Sequence, residues 1–481
     1  MRLTVIIRTL GVLFLLFSTT ILPPLAISLL TLDGYAANYS IEFLIFFSAG
    51  LLLWLPLHKS QDVIRNRDGF VIVALMWTAM SLLGSVPFML VLDMSFVDAL
   101  FESASGYTTT GATVIVGLDS LPQSILFYRQ EIQWLGGIGV IVLAVALLPM
   151  LGIGGMQLYR AETPGPVKDE RITPRIAGTA RTLCVLYIWM SVACAACYWL
   201  AGMGAFDAVT HSFATLATGG FSTHDASFAY FNSPAVEAVG IVFMLLAGIS
   251  FNEHFIAWRA LRLGGYLRNT QTRVFLIVVA LLIGAISAVL YGTGAKSTLT
   301  GAFRAAAFEA ASVITSTGFG IDDFSLWPLA LPAVLIFTSM MGGCAGSTAG
   351  GMKVIRFVIV GKQGIAQIRR LIHPRAVLPI RVDGRVVPAS VIEGVWGFFA
   401  IYVSVYAVTM VLLMMGGMDQ ITAFGAVAAC LNNLGPGLGD VAANFVNVNS
   451  PSKFLLAFAM IFGRLEIFTF LVLLTPGFWR N

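Results

Sequence analysis

Ten runs of about twenty or more mostly apolar residues are spread along this chain, and each is long enough to cross a bilayer as a helix. They lie at approximately 5–30, 40–57, 69–92, 128–156, 180–202, 234–260, 274–294, 327–358, 389–416 and 452–478. Lipid offers no partner for backbone N–H and C=O groups, so such runs must fold as helices that satisfy those groups internally. Composition agrees: only 11% of the 481 residues are charged, against roughly 25% in soluble domains. The fold class is therefore all-α integral membrane, with the lipid bilayer as its surroundings. The run from Met1 to Leu30 is longer than the apolar core of a cleaved signal and lacks a small-residue cleavage site, so it is expected to stay as the first helix.

Four shorter apolar stretches sit between the runs, near 96–108, 206–217, 300–315 and 420–432. They are too short to cross and too apolar to be solvated loops, so they are expected to dip into the membrane and return. Lys and Arg placement tests this layout, because cytoplasmic loops carry the excess. With both termini cytoplasmic, the inner side collects 23 of the 28 basic residues. Arg129, Lys296, Arg304 and Lys453 fall on the outer side, and Arg464 lies within a span. The bias holds only if all four short stretches enter and leave on the outer side.

The layout then reads as two leading transmembrane helices, residues 1–68, followed by four pseudo-repeats of helix, pore loop and helix around a central pore. The repeats are 69–160, 161–268, 269–387 and 388–481. Each dip ends in a related motif: Thr109-Thr110-Gly111, Thr218-Gly219-Gly220, Ser316-Thr317-Gly318 and Asn433-Leu434-Gly435. In the second motif Gly219 or Gly220 could match Gly111. Asp98 and Asp207 each precede the matched glycine by 13 residues only if Gly220 is chosen.

A helix ending at mid-membrane leaves its last carbonyls unpaired and partially negative. The strand after it can turn carbonyls inward to replace an ion's water shell, with glycine reaching the positive φ that this requires. None of the four motifs carries a charged side chain. A divalent cation would want carboxylates and an anion would want basic groups. The pattern points to a monovalent cation, K⁺ ahead of Na⁺. The bland reading, small residues that merely let helices pack, weakens when the motif recurs four times between spans.

The motifs TTTGAT, ATGGFS, TSTGFG and NNLGPG, with RQEIQWLGGIGVIVLAVALLPMLGIGGMQLYRAETPGP, GGCAGSTAGGMK and GRLEIF, resemble the Trk/Ktr/HKT superfamily of potassium transporters, most closely its bacterial TrkH-like branch. The resemblance covers nearly the whole chain. It implies four pseudo-symmetric units around one K⁺ pathway, a homodimer in the cell inner membrane, and a cytoplasmic nucleotide-binding regulatory partner of the TrkA type, with no nucleotide site in this chain. The fourth motif departs from the pattern, with Asn433-Leu434 where the others have hydroxyl residues or glycine.

Two features lie on the inner side of the motifs. Gly342, Gly343, Cys344, Ala345, Gly346, Ser347, Thr348, Ala349, Gly350 and Gly351 form a run of small residues within the eighth span. Such a run makes a poor helix. It reads either as a cavity-lining loop or, through Gly342, Gly346 and Gly350, as a packing face. The resemblance implies an intramembrane gate loop. Arg464 is a mid-span charge, and such charges face a cavity or a partner. The resemblance places it in the permeation path; the rival is an ion pair with another helix, Glu393 being one candidate.

Asp98, Glu102, Asp207, His211 and Glu309 lie on or near the dips, where they could concentrate cations or simply cap helices. Cys194 and Cys197 form a CxxC inside an apolar run, without the polar setting of a metal or redox site. No nucleophile and base or metal-ligand set is legible, so an enzyme is not expected, nor is a nucleic-acid partner. The remaining alternative is an ion-coupled secondary carrier, whose repeats would be inverted rather than entering from one side.

Overall fold

The computed structural model describes residues 3–59, 66–142, 173–260, 263–465 and 467–480. The second half of the run near 128–156 lies outside these residues, as do Arg160, Lys168, Arg171 and Glu466. The chain is helical almost throughout, and its two short strands, β1 (Arg381–Val382) and β2 (Arg385–Val386), form one antiparallel hairpin.

The leading pair comprises α1 (Leu3–Thr20) continued by α2 (Leu22–Thr31), and α3 (Ala36–Trp54). Next come α4 (Asn66–Leu83), α5 (Val86–Leu92), α6 (Phe96–Tyr107) and α7 (Gln123–Val142). They are followed by α8 (Thr173–Leu200), α9 (Ala205–Ala217), α10 (Pro234–Gly248) and α11 (Phe251–Ala260). Then come α12 (Thr270–Gly292), α13 (Leu299–Ile314), α14 (Leu331–Met341) and α15 (Val354–Ile372). Last are α16 (Ala389–Met415), α17 (Gln420–Leu431), α18 (Ser450–Arg464), α19 (Ile467–Leu474) and α20 (Pro476–Trp479).

Among the described residues six helices are long and apolar enough to cross a membrane alone, and a seventh if α10 and α11 count as one. The protein is a multi-pass membrane protein of the all-α class. Among the described residues five of the expected runs are interrupted, those at 5–30 and 69–92 only briefly, after Thr20 and Leu83. The 234–260 run bends by 99° after Gly248. The 327–358 run stops at Met341 and resumes at Val354, and the 452–478 run breaks at Leu465. Hydropathy reports composition, and glycine and serine break a helix without making it polar.

The four dips are α6, α9, α13 and α17, of 12, 13, 16 and 12 residues. At 1.5 Å per residue none reaches the roughly 30 Å of a hydrocarbon core. Three start on side-chain caps: Ser95 Oγ accepts from the Asp98 N–H, Thr298 Oγ1 from Gly301, and Asp419 from Ile421 and Thr422. All four are exposed in their first turns and buried toward their C-terminal ends, among the apolar clusters that the longer helices build around them.

Candidate functional site

The four short helices end alike. The Thr109 N–H donates to Gly106 O at 2.9 Å and the Thr110 N–H reaches back to Ser105 O at 2.8 Å. The same pair of bonds closes α9 (Thr218 to Thr215, Gly219 to Ala214), α13 (Ser316 to Val313, Thr317 to Ser312) and α17 (Asn433 to Cys430, Leu434 to Ala429). This is the Schellman end, which needs a left-handed residue just past the helix. Thr109, Thr218, Ser316 and Asn433 supply it, with φ of 52°, 51°, 52° and 54°. Asparagine tolerates that conformation locally, whereas threonine rarely adopts it. The fourth motif therefore departs in side chain but keeps the backbone of the other three.

Two residues on, a glycine again has positive φ: Gly111 at 86°, Gly220 at 78°, Gly318 at 83° and Gly435 at 96°. Gly220, not Gly219, takes this position. Each glycine faces the next segment with no room for a methyl group. Gly111 abuts the Gly219 carbonyl, Gly220 that of Thr317, Gly318 that of Leu434, and Gly435 that of Thr110. The four contacts close a circle. The carbonyls of Thr110, Thr317 and Leu434 accept no hydrogen bond from any described residue, while Gly219 O accepts from Gln133 Nε2 at 2.6 Å. No charged side chain belongs to the circle.

A shell of buried polar groups holds the strands from behind. Glu102 accepts from the Val114 N–H at 2.9 Å and the Thr113 hydroxyl at 3.0 Å, and is gripped by Arg129 at 2.8 Å. Arg129 also donates to Ser222 O at 3.0 Å and lies 4.2 Å from the Phe221 ring centre, joining the first strand to the second. At the matching place on α9, His211 Nε2 meets Ser222 Oγ at 3.0 Å. On α13, Glu309 accepts from the Ile321 N–H at 2.8 Å and from Asp322 at 3.2 Å. Glu102, His211 and Glu309 are all essentially inaccessible. They brace the strands from within the fold. Asp98 donates its N–H to the capping Ser95 of α6 and pairs with Lys453 at 2.7 Å, and Asp207 accepts from Thr223 at 2.7 Å. Arg129 and Gln133 lie four apart on one helical face, a spacing that marks a polar stripe on α7, whereas charge placement alone registers Arg129 only as an outer-side cation.

The small-residue run is a loop packed against one end of this circle. Gly342, Gly346 and Gly351 have positive φ, as does Lys353. The Gly350 N–H donates to Ser316 Oγ at 2.5 Å, the Gly351 N–H to Asn432 O at 3.1 Å, and Thr348 Oγ1 to Leu216 O at 2.9 Å. Gly343, Ser347 and Thr348 are buried. The loop thus touches the ends of α9, α13 and α17 together. Arg464, at the end of α18, donates from one guanidinium nitrogen to Thr348 O at 2.8 Å. Its Nε and other terminal nitrogen have no hydrogen-bond partner among the described residues, and Glu393 is exposed. No carboxylate among the described residues pairs with it, so the expected ion-pair alternative is not what holds this arginine.

Cys194 is buried in an apolar cluster and Cys197 is half-buried, both as free thiols. Among the described residues no group of His, Cys, Asp and Glu could hold a metal ion.

Comparison with known proteins places this arrangement. The sequence pattern of the TrkH family, described as a cation transport protein, matches residues 36–477. The chain is 50% identical over 483 residues to the Trk system potassium uptake protein TrkH of Vibrio parahaemolyticus, covering 99% of each. It is 47% identical to the Escherichia coli protein of that name, covering 100% of each. A crystal structure of the potassium transporter TrkH from Vibrio parahaemolyticus superimposes with a TM-score of 0.93 at 47% identity, covering 100% of both chains. Fold, length and sequence agree from end to end, and the chain belongs to the TrkH family of cation transport proteins.

Proposed function

We propose that this chain mediates K⁺ uptake, with the circle of strands as its selectivity filter. The observation that carries the reading is the closed ring in which four glycines each abut a neighbour's carbonyl, with no charged side chain on it. Carbonyls in a ring substitute for the water shell of a monovalent cation, and three of the four here accept no hydrogen bond from the described residues. The filter residues are Thr109, Thr110 and Gly111; Thr218, Gly219 and Gly220; Ser316, Thr317 and Gly318; and Asn433, Leu434 and Gly435. The distribution of Lys and Arg supports an orientation with the short helices on the outer side of the inner membrane and both termini in the cytoplasm. The units 69–160, 161–268, 269–387 and 388–481 are then four pseudo-repeats behind the leading pair, 1–68.

The loop Gly342–Gly351 is the gate, lying across the inner end of the filter with Arg464 beside it. A positive charge there opposes cation passage. A cytoplasmic nucleotide-binding protein of the TrkA type works the gate from the inner side, and the unit in the membrane is a homodimer. The names of the relatives, potassium uptake proteins of a Trk system, support the ion.

The test is flux in proteoliposomes loaded with K⁺, Rb⁺ or Na⁺, with and without an imposed proton gradient. K⁺ and Rb⁺ should pass well ahead of Na⁺, and Arg464→Ala should raise cation flux. Equal passage of all three ions would remove the filter reading. The 99° bend between α10 and α11 gives a carrier one supporting feature, since carriers build sites at broken helices. Single-channel currents would exclude that carrier.

A further inference from the structure

We infer that the far end of α15 and the segment returning from it form a binding site for an anionic phospholipid headgroup of the inner leaflet. Lys362, Ile365, Ala366 and Arg369 fall on one helical face, at the spacing of three, four and seven residues. That face and the return segment Leu378–Arg381 enclose a cavity of about 290 Å³. Three cations, Lys362, Arg369 and Arg381, rim it, and Ile365, Leu378 and Ile380 supply apolar walls. Lys362 Nζ donates to the Arg381 carbonyl at 2.6 Å, tying helix to return segment. Among the described residues no carboxylate pairs with any of the three.

A phosphate satisfies such a rim, and an acyl chain satisfies the walls. The surroundings select lipid over a soluble anion. Leu371 is 84% exposed and Val377 is 90% exposed, with Ile368 and Ile372 also open and Arg370 and Arg375 between them. Large aliphatics interleaved with arginine are the signature of a surface lying at the headgroup boundary. Depth agrees. From Val354, beside the loop, about ten residues at 1.5 Å each traverse half of a hydrocarbon core of about 30 Å. That brings Lys362 to Arg369 to headgroup level. The inference rests on the orientation proposed above. Because α15 leaves directly from the candidate gate, an occupied headgroup site would fix the helix to which that loop is attached.

The experiment is native mass spectrometry of the full chain in detergent, titrated with phosphatidylglycerol, with phosphatidylcholine, or with inorganic phosphate. Phosphatidylglycerol should be retained well above phosphatidylcholine, and inorganic phosphate should not displace it. Arg369→Gln together with Arg381→Gln should weaken retention about thirty-fold, on a scale of about fivefold per basic residue near an anionic surface. If that double variant does not fold, each single change should cost about fivefold in the same assay. Equal retention of both lipids, undiminished retention in the variants, or displacement by phosphate alone would each overturn the site. So would a variant that loses only self-association, which would make the face a contact between copies. K⁺ flux of the same preparations in phosphatidylcholine and phosphatidylglycerol vesicles separates the two readings. No flux in either vesicle overturns the transport proposal while leaving the lipid comparison to stand or fall by itself.

Discussion

Thr109 and Thr218 hold left-handed backbone conformations that a β-branched side chain disfavours by about 1–3 kcal/mol. Glycine would end α9 with less strain, so the threonines are retained against local preference. Thr218 fixes its hydroxyl on Ala217 O at 2.6 Å, which sets the side chain beside the ring. Thr218→Gly should therefore raise the thermal unfolding midpoint, equivalent to about 1 kcal/mol or more, while lowering the K⁺ to Na⁺ flux ratio. A lower midpoint would show that the strain argument is wrong. The two glycines that follow differ sharply. A methyl on Gly220 meets the Thr317 backbone at a positive φ, whereas one on Gly219 meets only the Gln133 side chain, at 2.5 Å and beyond. Gly220→Ala should abolish K⁺ flux, and Gly219→Ala should leave a measurable part of it. The reverse order in a flux assay would contradict the ring geometry. Sequence periodicity from Asp98 and Asp207 already pointed to Gly220. The positive φ was expected of the motif glycines, but the neighbour each one meets was not legible, because it depends on three other segments far away in the chain.

At the scale of elements, two broken helices complete each other. α10 stops at Gly248 and leaves carbonyls that its own chain cannot satisfy. The Cys344 N–H takes Gly248 O at 2.9 Å, the Phe251 N–H takes Gly346 O at 3.0 Å, and Thr348 Oγ1 lies 3.3 Å from Ala247 O. His254 Nε2 meets Leu246 O at 2.8 Å. The loop between α14 and α15 is therefore an anchored structure with a small number of fastenings. Thr348→Val keeps its volume and removes the donor to Leu216 O and Ala247 O. The single hydroxyl proton makes one full hydrogen bond, worth about 1 kcal/mol, so the loop should leave its seat more often and K⁺ flux should rise several-fold. Unchanged flux would mean that the loop does not limit passage. The brace on α13 gives a second case. Glu309→Ala would leave the Ile321 and Asp322 N–H groups without their acceptor, at about 1–3 kcal/mol each where buried. Rb⁺ and K⁺ should then lose their advantage over Na⁺ before total flux falls. The four short helices were readable from length and hydropathy almost to the residue, as α6 at Phe96–Tyr107 shows. The bend at Gly248 was not, because a glycine in an apolar run leaves hydropathy unchanged while the partner that stabilises the break comes from α14 to α15.

Across the whole molecule the strands close a circle, and further contacts fasten neighbouring segments outside it. Arg304 pairs with Glu237 at 2.5 Å between the third and second segments, and Lys453 with Asp98 between the fourth and first. The Phe445 N–H donates to Thr113 O at 2.8 Å across the same fourth-to-first boundary. Between the first and second, the Asp225 carboxylate accepts from the Gly117 N–H at 2.9 Å, and His224 Nδ1 meets Asp119 at 2.5 Å. The hydrogen bond from His224 holds the Asp119 carboxyl below the usual carboxylate range, helped by the Asp225 N–H. A group whose folded pKa is depressed adds stability above its unfolded value, near 4, and that contribution is lost as pH falls through the folded value. Asp119 is half exposed, so the effect is local rather than a threat to the whole fold. Hydrogen-exchange protection of the Asp225 N–H, which donates to Asp119, corrected for intrinsic rates, should be constant at neutral pH and fall as the Asp119 carboxyl takes up its proton. Asp119→Asn should show reduced protection at neutral pH and a smaller step on acidification. Protection that persists in the wild type once the Asp119 carboxyl is fully protonated would mean that this pair does not join the first two loops. The circle of strands, fastened through other residues, should keep its protection throughout the same titration.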